Sequence, residues 1–415
     1  MRADVIIERM PPPVSHPLPR IALAILLLGL ASCSLWQGAW SGRAKAAPPP
    51  LPPEPPPAAL PEPTFRFELE ADQDLIGHVQ ITTASKEDTL TDIARRFNVG
   101  YEEIVRANPG VDPWLPGAGK TIVVPTQFIL PTAPREGIII NVATMRLFYF
   151  PAHKAGEVPL VYTHPIGIGK VGWKTPEGVT KITRRQKDPV WHVPVSVIKE
   201  HKENGEDLDA IIGPGPDNPL GRYAFYLAWP SYLIHGTNKP AGVGLRSSHG
   251  CIRLYPEDIE SFYDMIPIGT QVRVVNQPFL FGWRDGELYM QASGALEDDS
   301  HDGKQAQADG LPKAQQARIE KQLKHHEKTL NVELVAALAH EPRGIPVAVS
   351  RADTSLDAVL ASAPTVQNRV PDGATWDGKS DLPPDEASFR EMLSDRDPHE
   401  APLPVAPAPP VKTGT

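Results

Sequence analysis

The chain has 415 residues, a net charge of −9 and 48 prolines. Its length is a prior for two or three domains, and an acidic balance with no basic block excludes a nucleic-acid binder. The prolines cluster towards the two ends, which marks linkers around at least one packed core.

Arg2, Arg9 and Arg20 precede the apolar run Ile21 to Leu30. That run is short for a bilayer span and has the length of a signal-peptide core. Leu30-Ala31-Ser32-Cys33 reads as a lipobox, so residues 1–33 are expected to be an export signal ending at an acylated Cys33. Cleavage after Ala44-Lys45-Ala46 and an uncleaved anchor are the alternatives. All three put the bulk of the chain outside the cytoplasm. Ser34, rather than Asp, follows the cysteine, which resembles lipoproteins sorted to an outer membrane. The expected location is the periplasm, with the membrane reached only through the lipid. Residues 34–76 form a linker, in which Pro48 to Pro63 is an extended, semi-rigid spacer.

Residues 77–125 read as a βααβ module. His78 to Thr83 is a strand. Asp88 is an N-cap, and Leu90, Ile93, Ala94 and Phe97 then fall at helical spacing until Gly100. Tyr101, Ile104, Val105 and Asn108 repeat that spacing, Asn108-Pro109-Gly110 ends it, and Lys120 to Val124 is a closing strand. The element order, the Asn-Pro-Gly turn and the Ile-Val-Val-Pro ending resemble a LysM domain. The resemblance implies binding of N-acetylglucosamine-containing glycans such as peptidoglycan. The ligand groove would run between the loop Ser85 to Leu90, with Asp88, Thr89 and Leu90, and the loop Asn108 to Val111. Without it, the module is a small packing domain.

Residues 136–276 carry short β-rich runs punctuated by glycine and proline. Ile138 to Val142 and Arg146 to Phe150 suggest a hairpin. Val158 to Gly167, Val190 to Pro194, Tyr223 to Leu227, Tyr232 to His235 and Gln271 to Val275 are further strands. Pro256 to Met265 is a helix with proline and acidic residues in its first turn and an apolar side of Ile259, Phe262, Tyr263 and Ile266. This predicts a mainly β (α+β) fold with closed or packed sheets rather than a βαβ repeat. Gly167-Ile168-Gly169-Lys170 is not a phosphate loop, since Val171 stands where a hydroxyl is needed.

Leu233 to Tyr255 is the chemically suggestive stretch. It holds Cys251, one of two cysteines, with His249 two positions before it and His235 sixteen positions before it. A cysteine beside a histidine is more often a small buried residue. Three features favour chemistry. Export with Cys33 lipidated or removed leaves Cys251 without a disulfide partner. Ser247, Ser248 and Gly250 suit an accessible loop, and Arg253 is a nearby cation that favours a thiolate or holds a substrate carboxylate. Gly236, Gly242 and Gly244 let the chain reverse so that an imidazole can take the thiol proton.

The string Ser248-His249-Gly250-Cys251-Ile252-Arg253, with His235-Gly236-Thr237 upstream, resembles the signature of L,D-transpeptidases with the YkuD-type catalytic domain. Gly167 to Lys170 followed by Trp173 to Gly178 resembles a strand and turn of the same family. The resemblance implies Cys251 as nucleophile, His235 as base and the Gly236 carbonyl as its orienting group. Ser248, His249 and the amides around Gly250 and Cys251 would shape the pocket and stabilise the oxyanion, and Arg253 would hold a carboxylate or brace the loop. It implies a peptidoglycan tetrapeptide donor, cut between its third residue, an L-centre usually of diaminopimelate, and a terminal D-Ala, and no metal or cofactor. The acceptor is a second stem's amine, giving a 3→3 crosslink, or a lysine of an outer-membrane protein. An L,D-carboxypeptidase and a non-catalytic peptidoglycan-binding lipoprotein are the alternatives.

Residues 277–293 read as a hairpin turning at Asp285-Gly286 and capping the catalytic domain. Residues 294–361 are a helical extension with an extended piece from Gly344 to Ser350, and residues 362–415 a polar, proline-rich, disordered tail. His325 and His326 lack further ligands at metal-binding spacing.

Overall fold

The computed structural model of the chain describes residues 59–379, apart from 62, 63, 71, 299–310 and 312. The expected export signal, Cys33, most of the Pro48 to Pro63 spacer and the tail beyond 379 lie outside the described residues. What is described is mainly β. A nine-stranded sheet runs in the order Arg66–Glu68, Leu160–Pro165, Arg146–Phe150, Gly137–Asn141, Gln271–Val275, Gly178–Lys187, Tyr223–Leu227, Leu233–His235, Ile252–Arg253.

The expected hairpin is present, with Ile139 opposite Phe148 in an antiparallel pair. Its unbroken apolar run follows from burial on both faces. Ile138 and Ile140 pack with Ile259 and Phe262 of the helix Pro256–Met265. Ile139 packs on the other side with Phe128 and Val161. Two neighbouring pairs are parallel, Gln271–Val275 with Gly137–Asn141 and Leu233–His235 with Ile252–Arg253.

Two elements escape the sequence pattern. Gly178–Lys187 is a ten-residue strand near the sheet centre, but only Thr180 and Ile182 of it are buried, so it reads as polar. Val195–Glu203 is a helix following Pro194. Its valines at 195 and 197 alternate as in a strand.

The βααβ module forms as expected. Gln80–Thr83 pairs antiparallel with Thr121–Val124, and helices Leu90–Arg96 and Tyr101–Ala107 cover a core of Leu90, Ile93, Phe97, Ile104, Ile122 and Val124. Two local readings need correction. The N-cap is Thr89, not Asp88: Thr89 Oγ1 accepts the Asp92 amide at 3.1 Å, and the Asp92 carboxylate accepts the Thr89 amide at 2.8 Å. Asp88 is taken instead by the Ser85 amide and by Arg96. Gly100 does not end the first helix either. Phe97 is its C-cap, and Asn98 turns the chain in the left-handed region at φ 53°. Gly100 starts the second helix and donates its amide to Glu103 at 2.7 Å.

That helix start lies against the catalytic sheet. Glu103 forms a buried ion pair with Arg146 at 2.7 Å, and Arg95 holds Glu257 through two bonds of 2.8 Å. The Tyr101 and Glu102 amides donate to the carbonyls of Val243 and Gly244, both at 3.2 Å.

The hairpin Phe279–Arg284 and Glu287–Ala292 turns at Asp285 and Gly286, both at positive φ. Val347–Ala348 adds a third strand, and Leu288 and Met290 share a core with Ile319, Leu323, Leu338 and Ala339 from the helices Lys313–His325 and Val332–His340. The hairpin's alternating apolar residues find their partner in this later chain. The expected disorder from 362 does not hold for residues 364–379, which dock on the βααβ module. Ile81 donates its amide to Pro364 and accepts that of Val366, whose side chain enters the module's core. Polar, proline-rich chain can dock this way because the partner supplies the apolar core.

Candidate active site

Backbone pairing brings the two halves of the Leu233 to Tyr255 stretch together. Parallel registry sets Ile234 beside Ile252 and His235 beside Arg253, and Leu254 donates to the His235 carbonyl at 2.9 Å. Because side chains alternate along a strand, residues 233, 235, 251 and 253 point to one face. Leu233, His235, Cys251 and Arg253 accordingly line one cavity of about 500 Å³.

His235 is 3 % exposed, and its Nδ1 lies 2.6 Å from the Gly236 carbonyl oxygen. A carbonyl only accepts, so the Nδ1 facing it carries the proton. Gly236 is tightly fitted: a Cβ there would stand 3.2 Å from Ile259. Cys251 is half-buried, and its Sγ lies 3.5 Å from the Ser231 carbonyl. It packs against the buried cluster of Leu220, Ala224 and Leu233, as Trp191 and Tyr226 also do.

The turn from Ser248 to Cys251 is held from within and from outside. Ser248 Oγ donates to the Cys251 carbonyl at 2.6 Å and accepts the Gly250 amide at 3.2 Å. The Gly250 amide is therefore engaged inside the loop. Gly250 has φ 99°, and a Cβ on it would meet Tyr232 at 2.9 Å. From outside, Thr175 Oγ1 donates to the Gly250 carbonyl at 2.9 Å and accepts the Gly169 amide at 3.2 Å. Lys170 donates its amide to Ser248 at 2.9 Å. The Gly167 to Gly178 motif thus braces the cysteine turn. At Gly169 a Cβ would stand 1.8 Å from the Trp173 carbonyl, so only glycine fits.

His249 Nε2 lies 2.8 Å from Glu200 on the helix Val195–Glu203, and Trp173 meets its ring edge-on at 4.8 Å. Lys170 takes the other Glu200 oxygen at 2.7 Å. Burial raises the Glu200 pKa, but Lys170 and His249 more than offset it and the carboxyl stays below its usual range. Arg253 is 5 % exposed; it donates to Ser247 Oγ at 3.3 Å, and its backbone bonds Gly167 in both directions. Lys170 and Thr175 lie in the Gly-Ile-Gly-Lys and Trp-Lys-Thr-Pro strings, which carry no mark of the contacts they make, and Glu200 has no signal in the sequence.

In the βααβ module, Asp88, Leu90 and Asn108 are buried and Thr89 is the helix cap. Asn108 bridges Ile104 and Val123 through bonds of 2.8 Å. The His326 ring lies 4.1 Å from that of Trp283, tilted by 31°, and no cluster of three or more metal-ligating side chains occurs among the described residues.

Residues 135–274 match the L,D-transpeptidase catalytic domain family, YkuD, and residues 83–125 match the LysM domain family. Among similar proteins, the probable L,D-transpeptidase YbiS of Escherichia coli is 40% identical over 54% of this chain and 72% of its own length. The chain belongs to the L,D-transpeptidase family. The probable L,D-transpeptidase YcfS of Escherichia coli is 40% identical over 51% of this chain and 68% of its own. The probable L,D-transpeptidase ErfK/SrfK of Salmonella typhimurium is 44% identical over 49% of this chain and 64% of its own, just under two thirds. The cavity and the cysteine turn both fall within the YkuD match.

Proposed function

We propose that this protein is an exported L,D-transpeptidase that works through a thioester on Cys251. The observation that carries the reading is the His235 ring: it hydrogen-bonds the Gly236 carbonyl through Nδ1 and lines the same cavity as the Cys251 sulfur. His235 Nε2 takes the thiol proton as sulfur attacks the carbonyl of the stem's third residue. The imidazolium then protonates the departing D-Ala amine, leaving an acyl thioester. An acceptor amine attacks that carbonyl, gives its proton to His235 and releases the sulfur. The carbonyl of Gly236 holds the ring throughout, the role a carboxylate has in serine triads.

The donor is a peptidoglycan tetrapeptide stem, which the LysM module would hold by its glycan. The acceptor is a second stem's amine or a lysine of an outer-membrane protein. Export through residues 1–33 and lipid attachment at Cys33 would put the enzyme between wall and outer membrane. Purified full-length protein incubated with tetrapeptide muropeptides tests the reading. Crosslinked dimers support it, tripeptides alone would make the enzyme a carboxypeptidase, and unchanged substrate would make it a binding protein. Adding an outer-membrane extract to sacculi and identifying the products by mass spectrometry names the acceptor.

A further inference from the structure

The chain carries a net charge of −9, yet no aspartate or glutamate lines the catalytic cavity. Two arginines do, Arg253 and Arg184. Arg184 reaches it through an irregularity in the strand Gly178–Lys187. Ile182 pairs with Leu227, but Arg184 pairs with Tyr226, so one extra residue is inserted between them. Regular pairing would set Arg184 opposite Phe225 and turn it towards the core, where Phe225 lies fully buried. The bulge moves it to the cavity face instead, a known use of bulges beside active sites.

There the guanidinium lies 3.6 Å above the Tyr226 ring and donates to the neutral Gln186 side chain at 2.6 Å. Among the described residues no carboxylate forms an ion pair with it. Stacking holds a planar, two-pronged cation in place without neutralising it.

From this we infer that Arg184 is a specificity residue that binds a free carboxylate on the side chain of the donor's third residue. The inference rests on the transpeptidase reading and deepens it. Arg184 pairs with Tyr226 and Tyr226 with Leu233, and Cys251, one position before Ile252, continues that row. Three strand spacings put the two backbones about 14 Å apart. A diaminopimelate residue acylated on the sulfur holds its distal carboxylate six bonds beyond the reacting carbonyl, about 7 Å when extended. The arginine side chain covers the remainder. A lysine or an amidated diaminopimelate at that position offers no anion.

The test compares full-length wild type, Arg184→Ala and Arg184→Lys on two tetrapeptide donors, one with the distal carboxylate free and one with it amidated. Wild type is expected to prefer the free acid roughly tenfold or more in kcat/KM, the worth of one charged hydrogen bond. R184A loses that preference, with the loss falling on KM, and R184K recovers part of it. Circular dichroism and unfolding midpoints report whether each variant folds; if R184A does not, R184K and Arg184→Gln carry the comparison. The inference is overturned if wild type does not discriminate, or if R184A discriminates as wild type does. Failure of wild type to process either donor would instead overturn the proposed function.

Discussion

Cys251 and His235 are separable by substitution. C251A leaves no atom to carry the acyl group, so turnover of tetrapeptide donors falls below detection. Because the side chain is half-buried, the thermal midpoint stays near that of wild type. His235→Gln keeps the sulfur but removes the base, and kcat/KM drops roughly a thousandfold, the usual worth of general-base catalysis. Steady-state assays with muropeptide donors check both. Their juxtaposition was legible because both lie in one continuous stretch, His235 on a strand paired with the one that begins just after Cys251. Glu200 and Thr175 were not, because nothing in the sequence relates them to His249 and Gly250, 49 and 75 positions away.

Elements were legible where the apolar pattern was one-sided or continuous. The Arg146–Phe150 strand and the Pro256–Met265 helix fall where spacing put them. Gly178–Lys187 was hidden because its charges face outward, and the N-cap was misassigned by one residue because Asp88 and Thr89 are both capping types. Asp88 is 6 % exposed, and burial raises its pKa, but the Ser85 amide, Arg96 and Asn368 lower it further, below its ordinary 3.8. A carboxyl held low stabilises the fold above its unfolded pKa and loses that contribution as pH falls through the folded value. Asp88→Asn is therefore expected to cost about 2 kcal/mol at neutral pH, with the gap to wild type closing below pH 3.8. Urea unfolding at several pH values measures it. Glu103→Ala strands the buried Arg146 guanidinium and is expected to cost about 3 kcal/mol in the same assay.

Across the whole molecule, the LysM module is bonded to the segment leading into the cysteine turn, through Tyr101 and Glu102 on Val243 and Gly244. Composition marked the ends of the chain as linker-like, and that reading missed the return of residues 364–379 onto the LysM module. Isolated polar chain gives no sign of docking when its partner lies almost 300 positions earlier, as with Asn368 and Thr83. Truncation after residue 363 removes the acceptor of the Ile81 amide and the Val366 side chain from the module's core. Hydrogen exchange at Ile81 should rise by at least tenfold, and the thermal midpoint should fall by a few degrees.

Whether Cys251 carries a peptidoglycan acyl group is read by incubating the full-length protein with tetrapeptide muropeptide at limiting acceptor, quenching in acid and mapping the adduct by peptide mass spectrometry. A tripeptide stem is expected as a thioester on Cys251, with D-Ala released in equal amount. Turnover with no adduct there, or an adduct on any other residue, would contradict it.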